Sequence, residues 1–173
     1  MRLASLCFAT VMLAGMSHAQ SADQMLDPTD MSSPEASVYS MMRAMYQGST
    51  DMVDEVFLDT ATLRRINREG EVQSDGLPRW RDWVGTLTVG DAHEELFEVT
   101  SEQYGPLATV WAPFVITYQG EIAGCGINTF TLAEIDGDWR IIFGTDTGAP
   151  RDTCDTFRET YVLTRDAAAA GTE

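Results

Sequence analysis

The sequence predicts a single-domain α+β protein in which short helices precede a meander of long antiparallel strands. Three observations support this class. Apolar residues recur at helical spacing in the first part of the chain, and long alternating runs separated by glycine turns fill 108–146. The composition, with 44% hydrophobic and 22% charged residues over 173 positions, is typical of one globular domain with a sizeable core.

The N-terminal segment 1–19 is predicted to be a secretory signal peptide. Arg2 supplies the positive charge, an apolar run follows it, and Ser17 and Ala19 are the small residues that cleavage requires. The apolar run is too short for a membrane anchor, so we expect a secreted protein. All 11 basic residues are arginines, which favours a bacterial periplasm. Residues 20–31 lack periodicity and are expected to form a flexible lead-in.

Charge and residue counts exclude several kinds of partner and site. The formal net charge of −16 argues against nucleic acid and anionic lipid as partners. Once His18 leaves with the signal peptide, His93 is the single histidine, and the two remaining cysteines are far apart, so a metal site lacks ligands. No phosphate-binding loop, nucleophile elbow or dinucleotide fingerprint occurs. We therefore expect neither a metal nor a cofactor.

The domain is placed at 32–150 and begins with a helix. Ser33 is a suitable N-cap, Pro34 suits the first helical position, and Gly48 suits a left-handed C-cap. The apolar positions between these caps share one helix face, which consists of Val38, Met41, Met42 and Met45.

Two further helices are predicted, with a short hairpin between them. Ser49 or Thr50 caps the second helix, and Phe57 lies on its buried side. The predicted bounds are 59–60 for the end of the second helix, 63–67 and 71–73 for the hairpin, and Pro78 to Gly85 for the third helix.

The remainder of the domain is predicted to be a series of strands. The predicted strands are 93–101, 108–119, 122–133 and 138–146. Gly120 and the Asp136-Gly137 pair mark the turns between the last three. Pro113 has no N–H to donate, so it predicts a bulge or an unpaired edge position within the longest alternating run. Glycines at 124 and 126 predict a bend or a close approach.

Residues 151–173 are treated as a C-terminal extension. We expect a loop and a short strand through 161–163, with a frayed end after Arg165. Cys125 and Cys154 are an even pair in an oxidising compartment, which is consistent with one disulfide or with two separate thiols. Sequence spacing does not decide between these alternatives.

Three motifs in the last third of the chain resemble a known pattern. They are an Ala-to-Trp-Ala-Pro strand, a Cys-Gly followed by Phe-x-Leu, and a Gly-x-Trp-Arg-Ile run ending in Asp-Thr. Their residues are Ala108, Trp111, Ala112, Pro113, Cys125, Gly126, Phe130, Leu132, Gly137, Trp139, Arg140, Ile141, Asp146 and Thr147. The chain is similar to the nuclear transport factor 2-like superfamily, and within it to the bacterial branch labelled "putative lumazine-binding". Where relatives carry a histidine and arginines, this chain has Gly124 and Gly148.

The resemblance implies a cystatin-like cone, in which a curved, mainly antiparallel sheet wraps the N-terminal helices. It also implies a homodimer formed through the open sheet face. Enzymes of the superfamily move protons with pocket carboxylates or a His-Asp pair, and the candidates here are Asp146 and His93. The simpler interpretation is that Asp146 caps a turn and His93 is a solvated residue at a strand start.

Aromatic residues predict an apolar ligand pocket or, equally well, ordinary core packing. The candidate ligand-binding residues are Trp80, Trp83, Trp111, Phe114, Tyr118 and Asn128. Arg64, Arg65 and Arg68 are suited to attract an anion, although the interleaved acidic residues are also typical of a solvated hairpin.

Three hypotheses for function follow from the sequence. The leading hypothesis is a secreted protein that binds a small apolar molecule in the cone, or assembles through that surface, without catalysis. The second is a proton-transfer enzyme of the isomerase, cyclase or dehydratase type, and the third is an interaction scaffold whose cone is filled. A pocket carboxylate with a raised pKa would favour the second hypothesis, and a filled cone would favour the third.

Overall fold

The computed structural model describes residues 29–170, with side chains described as far as Thr164. The predicted signal peptide and most of the predicted lead-in lie outside the described residues. The elements in chain order are α1 (Pro34–Gln47), α2 (Thr50–Val56), β1 (Phe57–Ile66), α3 (Leu77–Val84), β2 (Ala92–Leu96), β3 (Thr100–Tyr104), β4 (Leu107–Tyr118), β5 (Glu121–Ile135), β6 (Asp138–Gly148), a 3₁₀ helix (Arg151–Thr156) and α4 (Phe157–Ala170). None of the helices between residues 29 and 170 has the length and apolar character needed to cross a membrane.

The strands form one curved, open sheet in the order β1-β6-β5-β4-β2, with β3 also paired to β4. All pairs are antiparallel except β1 with β6, which is parallel. The concave face packs on α1 and α2 through a core in which Val38, Met45, Val110, Leu132 and Ile141 are at most 1% exposed. The predicted α+β class, with a mainly antiparallel sheet wrapped on N-terminal helices, is confirmed.

The first helix has the predicted bounds because both of its caps are encoded locally. The Ser33 hydroxyl accepts a hydrogen bond from the Ala36 N–H at 3.1 Å, and Pro34 occupies the first turn. Gly48 ends the helix with φ of 67°, and a Cβ at that position would overlap the carbonyl oxygen of Leu87. Both the left-handed backbone and the close approach therefore require glycine at this position.

The predicted end of the second helix is wrong. The helix stops at Val56, and Phe57 begins a ten-residue strand instead of lying on the helix face. This strand pairs in parallel with β6, which is far away in sequence. Local sequence patterns therefore do not indicate the hydrogen-bonded ladder that stabilises the strand. The predicted hairpin is present at the end of the strand, where Ile66 bridges Val72.

Pro113 was predicted to be at a bulge or an unpaired edge position of its strand, and it is unpaired on the side where β2 and β3 flank β4. The predicted strand 93–101 is divided into β2 and β3, which pair with β4 on either side of Pro113. In the gap the Phe97 N–H donates to the Pro113 carbonyl at 3.1 Å, and Glu98 adopts a positive φ of 49°. Because the chain bulges between β2 and β3, no backbone carbonyl there requires a hydrogen bond from the N–H that proline lacks.

The C-terminal prediction of a loop and a strand through 161–163 is wrong, because this segment is helical in α4. Over only a few residues, the alternation of apolar and polar side chains in an amphipathic helix resembles that of a strand. The segment is held by the Cys125–Cys154 disulfide, whose Cα atoms are 5.4 Å apart. The helix lies on the outer face of the sheet, where the rings of Phe157 and Tyr161 contact the Phe97 ring.

Gly126 is predicted to be intolerant of a side chain, whereas Gly124 is not. A Cβ at Gly126 would overlap the Thr147 carbonyl, but at Gly124 its nearest neighbour would be the Ile116 Cγ2 at 3.6 Å. We expect Gly126→Ala to lower the free energy of unfolding by about 2 kcal/mol and Gly124→Ala to leave it nearly unchanged. Urea denaturation of both variants checks this, and equal midpoints would contradict the close approach.

Candidate functional site

A pocket of about 770 Å³ opens between the concave face of the sheet and the helices α1 and α3. Its walls are largely apolar, and the side chains that supply them are Met41, Met42, Met45, Leu63, Trp80, Trp83, Phe114 and Ile116. Polar and charged residues also line the pocket, and those that meet on the sheet are Arg65, Glu94, Asn128 and Asp146. Apolar walls with a few convergent polar groups are typical of small-molecule sites.

Three adjacent strands place polar side chains in one row across the sheet. Arg65 of β1 is the register partner of Asp146 in β6, and Asp146 is the register partner of Asn128 in β5. The Arg65 Nε–H lies 2.9 Å from Asp146 Oδ2 and 3.1 Å from Oδ1, and an Nη–H of the same guanidinium also donates to Oδ2. The guanidinium therefore holds the Asp146 carboxylate through charge-assisted hydrogen bonds.

Glu94 of β2 reaches this row from across β4. The Asn128 Nδ2–H donates to Glu94 Oε1 at 2.6 Å, which fixes the orientation of the carboxyl. The pKa of Glu94 is raised from 4.5 to about 7, chiefly by burial, and the negative charge of Asp146 contributes to the rise. The Asn128 hydrogen bond and the Arg65 charge act in the opposite direction on this pKa, but burial is the larger effect.

The arrangement is suited to proton transfer at neutral pH. A carboxyl whose pKa lies near 7 is present in both protonation states, so Glu94 is able to accept a proton and to donate one. Among the side chains that the structure describes, those of residues 29–164, no group of three or more His, Cys, Asp or Glu is arranged to hold a metal ion. Independently of that, the raised pKa of Glu94 equips the pocket for acid-base chemistry.

Several residues predicted from the sequence meet in this pocket. Asp146, Trp80, Trp83, Phe114 and Asn128 all line it. Trp80 also packs edge-on against the Phe57 ring, with centroids 6.0 Å apart, so it serves both the pocket and the core.

Three other candidates lie outside the pocket lining. The His93 ring packs against Tyr46 at 5.9 Å, on the strand position that alternates away from Glu94. Trp111 lies on the outer face, 44% exposed, and its indole N–H donates to the Tyr161 hydroxyl at 2.9 Å. Tyr118 is 37% exposed at the end of β4. The structure therefore does not bring His93 and Asp146 together in the pocket.

Sequence reasoning missed Glu94 as a pocket residue. A signal was present, because Glu94 alternates with Ala92 and Leu96 and so occupies an inward position of its strand. Strict alternation along β6 would place Ile142, Gly144 and Asp146 on one face, but the strand is irregular. A bulge opposite Leu132 makes Ile141 the buried residue, and Gly144 and Asp146 continue its face.

Comparisons with known proteins identify the fold. No family model matches the chain, and no curated protein matches it. Among solved structures, it is similar to a "putative dehydratase from the NTF2-like family" of Streptomyces avermitilis, with 14% identity, a TM-score of 0.56, and coverage of 70% of this chain and 97% of that one. A protein of unknown function with a cystatin-like fold from Nostoc punctiforme has 12% identity, a TM-score of 0.54, and coverage of 67% and 88%.

The C. elegans CaMKII association domain is also similar, with 10% identity, a TM-score of 0.51, and coverage of 63% of this chain and 88% of that one. At these identities the likeness shows the fold alone. The protein thus has the nuclear transport factor 2-like, cystatin-like fold, which is shared by chains described as a "putative dehydratase", an association domain and a protein of unknown function. The particular activity has to be argued from the pocket itself.

Proposed function

We propose that the protein binds a small, largely apolar molecule in its concave pocket and that Glu94 transfers a proton on that molecule. One observation carries the proposal: a carboxyl with a pKa of about 7 lines a pocket with apolar walls. Titratable groups whose pKa is shifted by burial in this way are concentrated at functional sites. The pocket volume of about 770 Å³ is ample for a molecule of two or three rings.

The residues around Glu94 have different roles in such a reaction. Asn128 holds Oε1, so the carboxylate is oriented to take a proton from carbon or oxygen of the bound molecule. Returning that proton to another atom gives isomerisation, and loss of a leaving group gives elimination or dehydration. The Arg65–Asp146 pair lies in the same row and keeps a fixed dipole beside the reacting atoms.

This proposal combines the leading and the second sequence hypotheses. The open pocket supports ligand binding and is unlike the filled cone that an interaction scaffold would show. Glu94 supports the proton-transfer alternative over binding without chemistry. The similarity to the lumazine-binding branch stays a prediction, since no family model matches.

Secretion to a periplasm and a homodimer are also part of the proposal. The outer face of the sheet exposes Leu107, Trp111 and Phe143 by 38–51%, which suits a contact with a second copy. However, α4 covers one side of that face through the Phe97 ring cluster. A homodimer is therefore expected to use the part of the outer face that α4 leaves open.

Proton transfer is tested with 5-nitrobenzisoxazole, which fits the pocket and opens to a coloured phenolate when a base removes its ring proton. We expect the wild-type protein to accelerate this opening, with a rate that rises with pH around a midpoint of about 7. Glu94→Gln is expected to lower the rate by about 100-fold because the base is lost.

Glu95→Gln is the matched control. It makes the same chemical change at the next residue, which is exposed and pairs with Arg158 on the outer side. We expect its rate to equal that of the wild type. Equal rates for wild type and Glu94→Gln would contradict the proposed role of Glu94.

A further inference from the structure

The pocket has a local charge opposite to that of the whole chain. The sequence holds 27 acidic residues against 11 basic ones. Around the pocket the ratio is reversed, with five arginines against three acidic residues: Arg64, Arg65, Arg68, Arg79 and Arg151 against Glu69, Glu94 and Asp146. Nearly half of the arginines of the chain thus surround a single cavity in a strongly acidic protein, which focuses a positive potential there.

Two of these arginines are available to a ligand. Arg65 is engaged with Asp146, Arg151 donates to the Ile122 carbonyl at 3.1 Å, and Arg64 interacts electrostatically with Asp75. Arg68 and Arg79 are exposed, and neither forms a salt bridge with any of the side chains described, those of residues 29–164. They lie at the mouth of the pocket, Arg68 after β1 and Arg79 in the first turn of α3.

The elements that carry these arginines also carry the apolar walls. Trp80 follows Arg79 directly in α3, and Leu63 lies on β1, the strand that leads into the turn with Arg68. Both Trp80 and Leu63 line the pocket. A ligand that fills the cavity therefore meets apolar side chains along its body and guanidinium groups at the opening. Two guanidinium groups match one oxyanion, since each presents a planar pair of donors.

We infer that the ligand is a small amphipathic acid, with an apolar body in the cavity and one oxyanion, such as a carboxylate, bound by Arg68 and Arg79. A polyanion is disfavoured because the net charge of −16 repels it at long range. The inference rests on the proposed ligand pocket and adds the chemical class of the ligand.

The test uses two fluorescent probes that share one apolar body. 1-Anilinonaphthalene-8-sulfonate carries an oxyanion, and N-phenyl-1-naphthylamine is its neutral counterpart. Affinities of both are measured by titration of the folded protein at pH 7 and low salt, and competition between them establishes that they share a site. The ratio of the two affinities isolates the contribution of the charged group from that of apolar burial.

We expect the variant Arg68→Gln/Arg79→Gln to lower the affinity for the sulfonate about tenfold and to leave that for the neutral probe nearly unchanged. Arg81→Gln is the control, because Arg81 lies on the same helix but pairs with Asp54 away from the pocket. It is expected to preserve both affinities.

The outcomes separate this inference from the proposed function. If the wild type binds the neutral probe and the double variant keeps the affinity ratio, the anion-binding role of Arg68 and Arg79 is wrong while the pocket remains. If the wild type binds neither probe, the apolar pocket itself is wrong and the inference fails with it. The inference would also be overturned if Arg81→Gln lowered the ratio of sulfonate to neutral-probe affinity as much as the double variant does. The loss of affinity would then come from a non-specific change in net charge.

Discussion

Replacing Glu94 with Gln is expected to stabilise the protein by about 3 kcal/mol at pH 8 while removing proton transfer. The pKa of Glu94 is raised from its ordinary value of 4.5 to about 7, so the folded state resists ionisation of this carboxyl. A raised acid pKa contributes stability that is complete below about pH 4.5 and is lost as the pH rises through 7. A shift of this size corresponds to about 3 kcal/mol.

The stability difference between Glu94→Gln and wild type therefore depends on pH. It is expected to be near zero at pH 4 and to grow between pH 4.5 and 8, because Gln is neutral throughout. Urea denaturation at several pH values measures it, with Glu95→Gln as the control at an exposed, ion-paired neighbour. Parallel curves for Glu94→Gln and wild type would show that Glu94 is not buried as described.

Removal of the Cys125–Cys154 disulfide is expected to have the second large effect. The bond closes a loop with a sequence separation of 29 residues, which corresponds to about 3–4 kcal/mol of stability through restriction of the unfolded chain. The bond also ties the 3₁₀ helix to β5, and α4 follows that helix directly. Its loss is therefore expected to loosen the Phe157 and Tyr161 rings from Phe97.

The double variant Cys125→Ser/Cys154→Ser provides the measurement. Its free energy of unfolding should fall by about 3–4 kcal/mol and should not respond to a reductant, whereas the wild type should fall to a similar value when reduced. Two free thiols in the unfolded, unreduced wild-type protein would contradict the disulfide. An unchanged midpoint on reduction would contradict its stabilising role.

The parts of the fold that were predictable from sequence are those decided by nearby residues. Ser33, Pro34 and Gly48 define the first helix through their own backbone preferences. The Asp136-Gly137 turn has positive φ angles at both positions, 55° and 94°, as a tight hairpin requires. Pro113 predicted a bulge or an unpaired position in its own strand because it lacks a donor, and the structure has the irregularity in the chain that flanks it, between β2 and β3.

Features that depend on distant residues were not predictable in the same way. The parallel pairing of β1 with β6 joins segments about 80 residues apart, so it left no local pattern at Phe57. For the same reason, only some of the pocket residues were predicted. Asp146 and Asn128 were nominated from their strands, but Glu94 lies two strands from Asn128 in the sheet and meets it only in the folded chain.

A ¹³C NMR titration of protein labelled at glutamate Cδ measures directly whether Glu94 is a titrating carboxyl in the ligand pocket. Glu94 is assigned as the resonance that is missing from Glu94→Gln. We expect a midpoint of about pH 7 for this resonance. A midpoint near the ordinary glutamate value of 4.5 would contradict this expectation, since Glu94 would then be a permanently ionised carboxylate at neutral pH.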